Sequence, residues 1–258
     1  MNTERIETLR REWLEEEKIA HIHGWDFSHI HGRYEEEDDL PWDFEEVINR
    51  YRKCDMQLLD YDTGGGEFLL SLKHPFENTS ATEGFSPNVE LCRQTLLPLG
   101  IDFKECSDPK NIPFEDNHFD IFINRHGEFD AKEAGRILKD GGIFATQQVG
   151  ADNDRDLVEF VLPDVPQPFP ELRLDIQKKN FEAAGFEILE AEETYKPITF
   201  YDVGAFVWFA HIIEWEFPGF SVDNCFDKLL EMQEEIDKNG KFVGTIHRYL
   251  LVARKKNS

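Results

Sequence analysis

Basic residues are scarce in this chain. Against 53 Asp and Glu there are only 28 Lys and Arg, a formal charge of −25 over 258 residues. Affinity for nucleic acid comes mainly from Lys and Arg neutralising phosphates, so a duplex or structured RNA is disfavoured as a partner. A small acceptor, neutral or cationic, suits this charge, and Arg125 leaves room for an acidic one. Long apolar runs are missing too. No stretch of eighteen apolar residues occurs, so no membrane span and no membrane partner are expected. The opening segment MNTERIETLRREWLEEEK is charged throughout and does not read as a secretory signal, so a cytoplasmic location is expected. Cys54, Cys92, Cys106 and Cys225 are scattered without a C-x-x-C pair, which predicts four reduced, mostly buried thiols. What is present suffices for a core. A hydrophobic content of 40% with 13% aromatics excludes a disordered chain.

The pattern along the chain is helix, then alternating strands and helices. Ile6, Leu9, Trp13 and Leu14 recur at helical spacing within 4–20, and 43–53 resumes a helical pattern. Between them lies a His- and aromatic-rich segment, and the acidic run Glu35 to Asp39 reads as a solvated loop. From 56 the texture changes. MQLLDYD predicts a strand, TGGGE a glycine turn, and FLLSLKHP a helix. Further strands are expected to end near 81–86 and to cover 101–106, 118–126 and 143–150. Helices are expected at PNVELCRQTLLPLG and at AKEAGRILKDGG, the latter closed by its glycines. The proline-rich segment 151–173 predicts a loop with a short helix. A helix over 172–185 follows, then a hairpin of 186–196 with 245–254, with helical residues 203–238 between its strands. Strands alternating with helices imply a doubly wound α/β sheet, seven-stranded and mostly parallel. The expected division is an N-terminal helical cap or lid at 1–55 and a core at 56–258, with a second helical cap inserted at about 200–240.

The strongest local signal is LLDYDTGGGEF. A strand ending in an acid, a tight glycine loop and a helix start suit a nucleotide-like ligand, because glycine lets the ligand approach exposed backbone N–H groups. A dinucleotide fingerprint needs G-x-G-x-x-G, and Gly64-Gly65-Gly66-Glu67-Phe68-Leu69 puts Leu69 at its third glycine. A phosphate-binding P-loop fails as well, since no Gly-Lys-Ser/Thr follows.

The loop instead resembles the first motif of class I S-adenosylmethionine-dependent methyltransferases, acid-x-Gly-x-Gly-x-Gly. Asp60, Gly64 and Gly66 match, while Asp62 stands where that family usually has its first glycine. Glu83-Gly84 closes the second strand, where family members hold both ribose hydroxyls with a carboxylate. Asp108 lies three residues before Asn-Ile-Pro-Phe, which is similar to the family's Asn-Leu-Pro-Phe beside the adenine. FDIFINRH and RILKDGGIFATQQVG resemble the fourth and fifth elements. The flanking segments GWDFSHIHGR, LPWDF, FYDVGAFVW and HRYLLVARK resemble a bacterial branch of small-molecule type. The resemblance implies a Rossmann-like methyltransferase fold with S-adenosyl-L-methionine as cofactor, held by Asp60, Asp62, Thr63, Gly64, Gly65, Gly66, Glu83, Gly84, Asp108 and Asn124. It implies methyl transfer to a small-molecule acceptor, by a monomer or homodimer.

Acceptor contacts are expected from residues that face outward beyond the strands' carboxyl ends. Arg125 and Gln147 are placed there, and His126 is the candidate general base. Trp25 and Trp42 from the N-terminal segment and Trp208 and His211 from the late helices are candidate acceptor walls. His21, His23, His29 and His31 form two His-x-His pairs, but no further acid or thiol is placed to complete a metal site, so no metal is expected. No Asn/Asp-Pro-Pro-Tyr follows the fourth strand, which disfavours amino-group methylation of adenine or glutamine. Competing readings are a cofactor-binding relative without catalysis, an RNA or protein methyltransferase, and, more distantly, a nicotinamide dehydrogenase.

Overall fold

The computed structural model describes residues 1–21, 26–36 and 39–257. In chain order its elements are α1 (Thr3–Ile19), β1 (Tyr34–Glu36), α2 (Phe44–Tyr51), β2 (Leu58–Tyr61), α3 (Glu67–Ser71), β3 (Thr79–Glu83), α4 (Ser86–Thr95), β4 (Asp102–Glu105) and β5 (Phe119–Arg125), then α5 (Ala131–Ile137), β6 (Leu138–Val149), α6 (Arg155–Val161), α7 (Leu174–Ala183), β7 (Phe186–Phe200), α8 (Val203–Ile212), α9 (Phe226–Asn239) and β8 (Phe242–Lys255). Two compact units partition the chain. The first takes 1–39, 151–170 and 195–247, and the second takes 40–150, 171–194 and 248–258.

The second unit is an α/β sheet. β2, β3, β4, β5 and β6 pair in parallel, and β8 closes on β6 antiparallel. Helices cover both faces of the central strands, so every residue of β2 and β3 is buried, including the polar Thr79, Ser80, Thr82 and Glu83 of β3. One face carries Ile121, Ile123, Ala145, Leu250 and Val252 under Phe44, Val47 and Ile48 of α2. The opposite face carries Phe122, Phe144, Tyr249 and Leu251 against Phe181 of α7 and Ile137 of α5. From β2 the chain steps outward to β3 and β4, then returns to pair β5 on the other side of β2. The switch point therefore lies between the carboxyl ends of β2 and β5, where open α/β sheets place their ligands.

Three expectations change. Hydrogen bonding orders eight strands, β1-β7-β8-β6-β5-β2-β3-β4, rather than seven. The addition is β1, at the start of the acidic run expected as loop. It pairs Tyr34 with Phe200 and Glu36 with Ile198, and as an edge strand it keeps its glutamates in water. Second, the helix expected at AKEAGRILKDGG ends at Ile137. Leu138 already pairs with Phe119, and Gly141, at φ 77, turns within β6 instead of closing a helix. Third, only Cys92 and Cys225 are buried, with Cys54 exposed and Cys106 between; all four are free thiols.

The first unit is largely helical. Asp202 caps α8 by accepting the Ala205 N–H at 2.8 Å, and its carboxylate also takes two bonds from Arg33, at 2.9 and 2.7 Å. Residues 203–210 are all buried, because α8 is apolar all round and packs against Trp13 of α1 and Leu229 and Met232 of α9. Each such fully buried aliphatic or aromatic side chain contributes about 1.5–3 kcal/mol. No helix of the described residues is long and apolar enough to cross a membrane.

Candidate functional site

The glycine loop follows β2 and is pinned from three sides. Thr63 donates its N–H to the Thr82 carbonyl at 2.9 Å, and its hydroxyl donates to Asp60 at 2.6 Å. The Cys92 thiol donates to the Gly64 carbonyl at 3.1 Å. The loop needs left-handed backbone at Asp62 (φ 60), Gly64 (φ 64) and Gly66 (φ 86). Glycine enters that region freely, and Asp is among the few side chains that tolerate it. This explains how Asp62 can occupy the position where the resembling motif carries glycine. Gly127 backs the loop so closely that a Cβ there would come within 2.8 Å of the Asp62 Cβ. A side chain at Gly84 would meet the Ser107 backbone at 2.7 Å.

Glu83, 1% exposed, is the hub of this half. One carboxylate oxygen accepts the Gly64 N–H at 2.7 Å, and the other accepts those of Gly84 and Phe85, both at 2.8 Å. Three acids crowd nearby. Burial, opposed by the Thr63 hydroxyl and Arg125, raises the Asp60 carboxyl to about 7. Burial and the Glu83 carboxylate, to which it hydrogen-bonds, raise Asp62 to about 6, with Glu128 adding to the effect. Such a group of acids holds protons against its own repulsion and gives them up to a cation. These residues fit a ligand with a ribose diol and positive charge. Glu83 has acceptor capacity for hydroxyls, and Asp60 and Asp62 favour a cation. α3 has only five residues, and the N–H groups of Thr63, Gly64 and Gly66 are taken by the Thr82 carbonyl, the Glu83 carboxylate and the Thr63 carbonyl.

Two candidates serve the fold first. Asn124 is fully buried at the end of β5. Its amide donates to the Tyr61 carbonyl at 2.9 Å, and its carbonyl accepts from Gln148 at 2.5 Å and Thr146 at 3.3 Å. Both ends of its side chain are thus used in fastening β2, β5 and β6 together. Asp108 is exposed and accepts the Lys110 N–H at 3.0 Å, closing its own turn.

The other half of the site lies beyond β5, β6 and β8. Arg125 places its guanidinium 4.5 Å from the Phe68 ring centre, and Phe68 stacks on Phe44 with centroids 5.7 Å apart. Trp42 donates its indole N–H to the Gln147 side chain at 2.9 Å. His126 leaves β5 at φ 63 and is held by its N–H to the Gln147 carbonyl at 3.0 Å. Its Nε2 lies 3.4 Å from the Gln147 amide nitrogen. Burial, then Arg248 and Arg125, push its pKa down to about 3, so the ring is neutral at physiological pH.

Trp208 and His211 belong to the first unit. Trp25 and His23 lie outside the described residues. Trp208 is 1% exposed within the first unit and packs against Phe27 at 5.6 Å and His29 at 5.4 Å. It serves as core there, because α8 is apolar all round. His211 is exposed near the end of α8. Of the paired histidines, His29 bonds Glu16 at 2.7 Å, and His21 closes a turn on the Ile19 carbonyl. Among the described residues no group of three or more His, Cys, Asp or Glu is arranged to hold a metal. Sequence reasoning passed over Phe68, Gly127, Glu128 and Arg248. Arg248 was legible in HRYLLVARK, where it alternates with Leu250 and Val252 and so shares their face.

No protein-family model matches the chain. Among solved structures, a proposed methyltransferase of Bacillus halodurans C-125 superposes with a TM-score of 0.56 at 19% identity, over 83% of this chain and 99% of that one. A SAM-dependent methyltransferase of Methanosarcina mazei does so at 0.51 and 15%, over 82% and 98%. This is the class I methyltransferase fold. Likeness at this identity establishes the architecture and no more. Among curated proteins, the phthiotriol/phenolphthiotriol dimycocerosates methyltransferase of Mycobacterium tuberculosis is 28% identical over 98 residues. The match spans 35% of this chain and 36% of that relative, about a third of each.

Proposed function

We propose that this protein transfers a methyl group from S-adenosyl-L-methionine to a small-molecule acceptor. The observation that carries the reading is the pair of acids ending adjacent strands, Asp60 and Glu83, on either side of a loop with left-handed backbone at 62, 64 and 66. The distant match to a curated methyltransferase supports it. The cofactor supplies an already activated methyl on a sulfonium, so the protein's task is alignment and exclusion of water. Glu83 would take the ribose hydroxyls, exchanging its bond to the Gly64 N–H for one of them. Gly64, Gly65 and Gly66 leave room for close approach. Asp62 and Asp60 would face the positive charge, Asp62 accepting from an ammonium. His126, neutral and beside Gln147, can receive the proton that an acceptor loses.

Calorimetry with S-adenosylmethionine and S-adenosylhomocysteine tests this reading. Micromolar binding of both is expected, and no heat at millimolar ligand would sink it. A second reading, cofactor binding without catalysis, is favoured by Asp62 alone, whose carboxyl crowds Glu83. Binding with no methylated product from a broad acceptor panel would decide for it.

A further inference from the structure

One buried side chain of β6 fastens the site from behind. Gln148 is 3% exposed, near the carboxyl end of the strand. It shares a face with Thr146, two residues back. Thr146 lies opposite Asn124 in the β5–β6 register, and Asn124 lies opposite Tyr61 in the β2–β5 register. Lower down, that face is apolar, with Phe122 and Phe144 packed under α5 and α7. It turns polar at this end. Buried polar groups cost stability unless hydrogen-bonded, so a row of them is kept only where its bonds are made.

The Gln148 amide nitrogen donates to three oxygens. Asn124 accepts at 2.5 Å, Thr146 at 2.7 Å and the Gly127 carbonyl at 3.1 Å. The bond to Asn124 ties β6 to β5. The bond to Gly127 leaves the sheet and holds the turn at 126–128. Gln147 holds the same turn from its other side, its carbonyl accepting the His126 N–H at 3.0 Å. His126 is left-handed at φ 63, a conformation that a residue other than glycine keeps only where its surroundings fix it. Two successive residues of β6 thus clamp the turn. The turn in its own right is the wall behind Asp62. A Cβ on Gly127 would stand 2.4 Å from an Asp62 carboxylate oxygen and 2.8 Å from the Asn124 amide nitrogen. With no space on that side, the Asp62 carboxyl stays against Glu83, to which it hydrogen-bonds, and Glu128 of the same turn adds its negative charge.

We propose that Gln148 is a positioning residue for the cofactor half: its bond to the Gly127 carbonyl fixes the turn that holds Asp62 against Glu83, where Asp62 faces the cofactor's ammonium. The last clause rests on the methyl-transfer reading. Gln148 itself touches no ligand. The direction of its effect follows from like charge. Asp62 and Glu83 repel each other when ionised, so a loosened wall lets Asp62 swing away. Glu83 does not depend on the turn, because the N–H groups of Gly64, Gly84 and Phe85 hold it. The contact to the ribose and the contact to the ammonium are therefore separable, and Gln148 governs the second.

Two nucleosides separate them by calorimetry on the full chain. S-adenosylhomocysteine carries the ammonium, and 5′-methylthioadenosine has the same adenine and ribose without it. Gln148→Met keeps the length and removes the donor. It should weaken S-adenosylhomocysteine about fivefold and leave methylthioadenosine within about twofold of the parent. In an Asp62→Asn background the same substitution should cost less than about twofold, because the group it positions is gone. Thr146→Val removes another partner of the same amide and spares the Gly127 bond. It should lower the melting temperature and leave the ratio of the two affinities unchanged. Carbon-13 NMR of the Asp62 carboxyl reads the positioning with no ligand present. Its midpoint is expected near pH 6 in the parent and displaced down toward the ordinary carboxylate range in Gln148→Met. If Gln148→Met does not fold, Gln148→Glu carries the same comparisons with a smaller loss, since a buried neutral acid keeps one donor. Equal losses for both nucleosides, an undiminished loss in the Asp62→Asn background, or an unmoved Asp62 midpoint would overturn the proposal and leave the cofactor reading standing. If neither nucleoside binds the parent, the methyl-transfer reading falls, and the Asp62 titration alone decides the role of Gln148.

Discussion

The two halves of the site use opposite electrostatics on one sheet. Beyond β2 and β3, Asp60, Asp62 and Glu83 stand together and hold protons above the usual carboxylate range at Asp60 and Asp62. Beyond β5, β6 and β8, Arg125 and Arg248 flank a histidine pushed well below its usual range. The chain as a whole is acidic, so the first half agrees with its surroundings and the second opposes them. The net charge of −25 is thus matched by the first half and opposed by the second. Local register overrides bulk composition when a few side chains are projected from one face.

Breaking the acidic half should have the largest effect. Glu83→Ala removes a carboxylate that accepts three backbone N–H bonds and, in the proposed complex, the ribose. Hydrogen bonds to a charged group are worth about 1.5–3 kcal/mol, so cofactor affinity should fall about 100-fold. Isothermal titration measures it. A loss below fivefold would remove Glu83 from the ligand-binding set. A melting curve separates this from loop collapse, since Glu83→Gln keeps the shape and one acceptor.

The contrast is sharpened by pH. A cationic cofactor favours ionised acids, so its binding should drive protons off Asp62 near pH 6. Affinity should rise several-fold between pH 5 and pH 7, with net proton release measured by calorimetry in buffers of different ionisation enthalpy. Affinity independent of pH would mean that Asp62 does not face the charge. The basic half should show no such rise. Trp42→Phe tests it separately. Losing the 2.9 Å bond to Gln147 costs about 1 kcal/mol, or about fivefold in acceptor KM, with cofactor affinity unchanged.

How much of this was legible differs between the halves as well. The acidic half is local in sequence. Asp60 to Gly66 lie within seven consecutive residues, and Glu83 ends the next strand, so strand–turn–helix reasoning reaches them. The basic half is built from β5, β6 and β8 and needs the register to unite Arg125, Gln147 and Arg248. Periodicity puts each on a face without saying that the faces coincide. Asn124 ends a strand at the switch point, which suggests a ligand group, but burial demands that its amide be satisfied, and neighbouring strands satisfy it. Trp208 suggests an acceptor wall by its position in a late helix. That helix is apolar all round, which already indicated core. β1 was hidden because its glutamates satisfy an edge strand and a loop equally well.

The smallest expected effect concerns Asp62 itself. Its backbone is left-handed at φ 60, where glycine is freer, and its carboxyl sits against Glu83. Folded Asp62 holds its proton up to about pH 6, whereas the unfolded group loses it near its ordinary value of 3.8. Between those values the folded state binds more protons, so this group's contribution to stability falls as pH rises from about 4 to about 6 and stays low above. Asp62→Gly removes that penalty and the backbone strain, at the cost of a more flexible unfolded chain. The variant's melting temperature relative to the parent should therefore be higher at pH 8 than at pH 4. The difference should be a few degrees, and thermal unfolding at the two pH values checks it. If stability gains at pH 8 accompany weaker cofactor binding there, the acid at this position has been kept for the ligand and not for the loop.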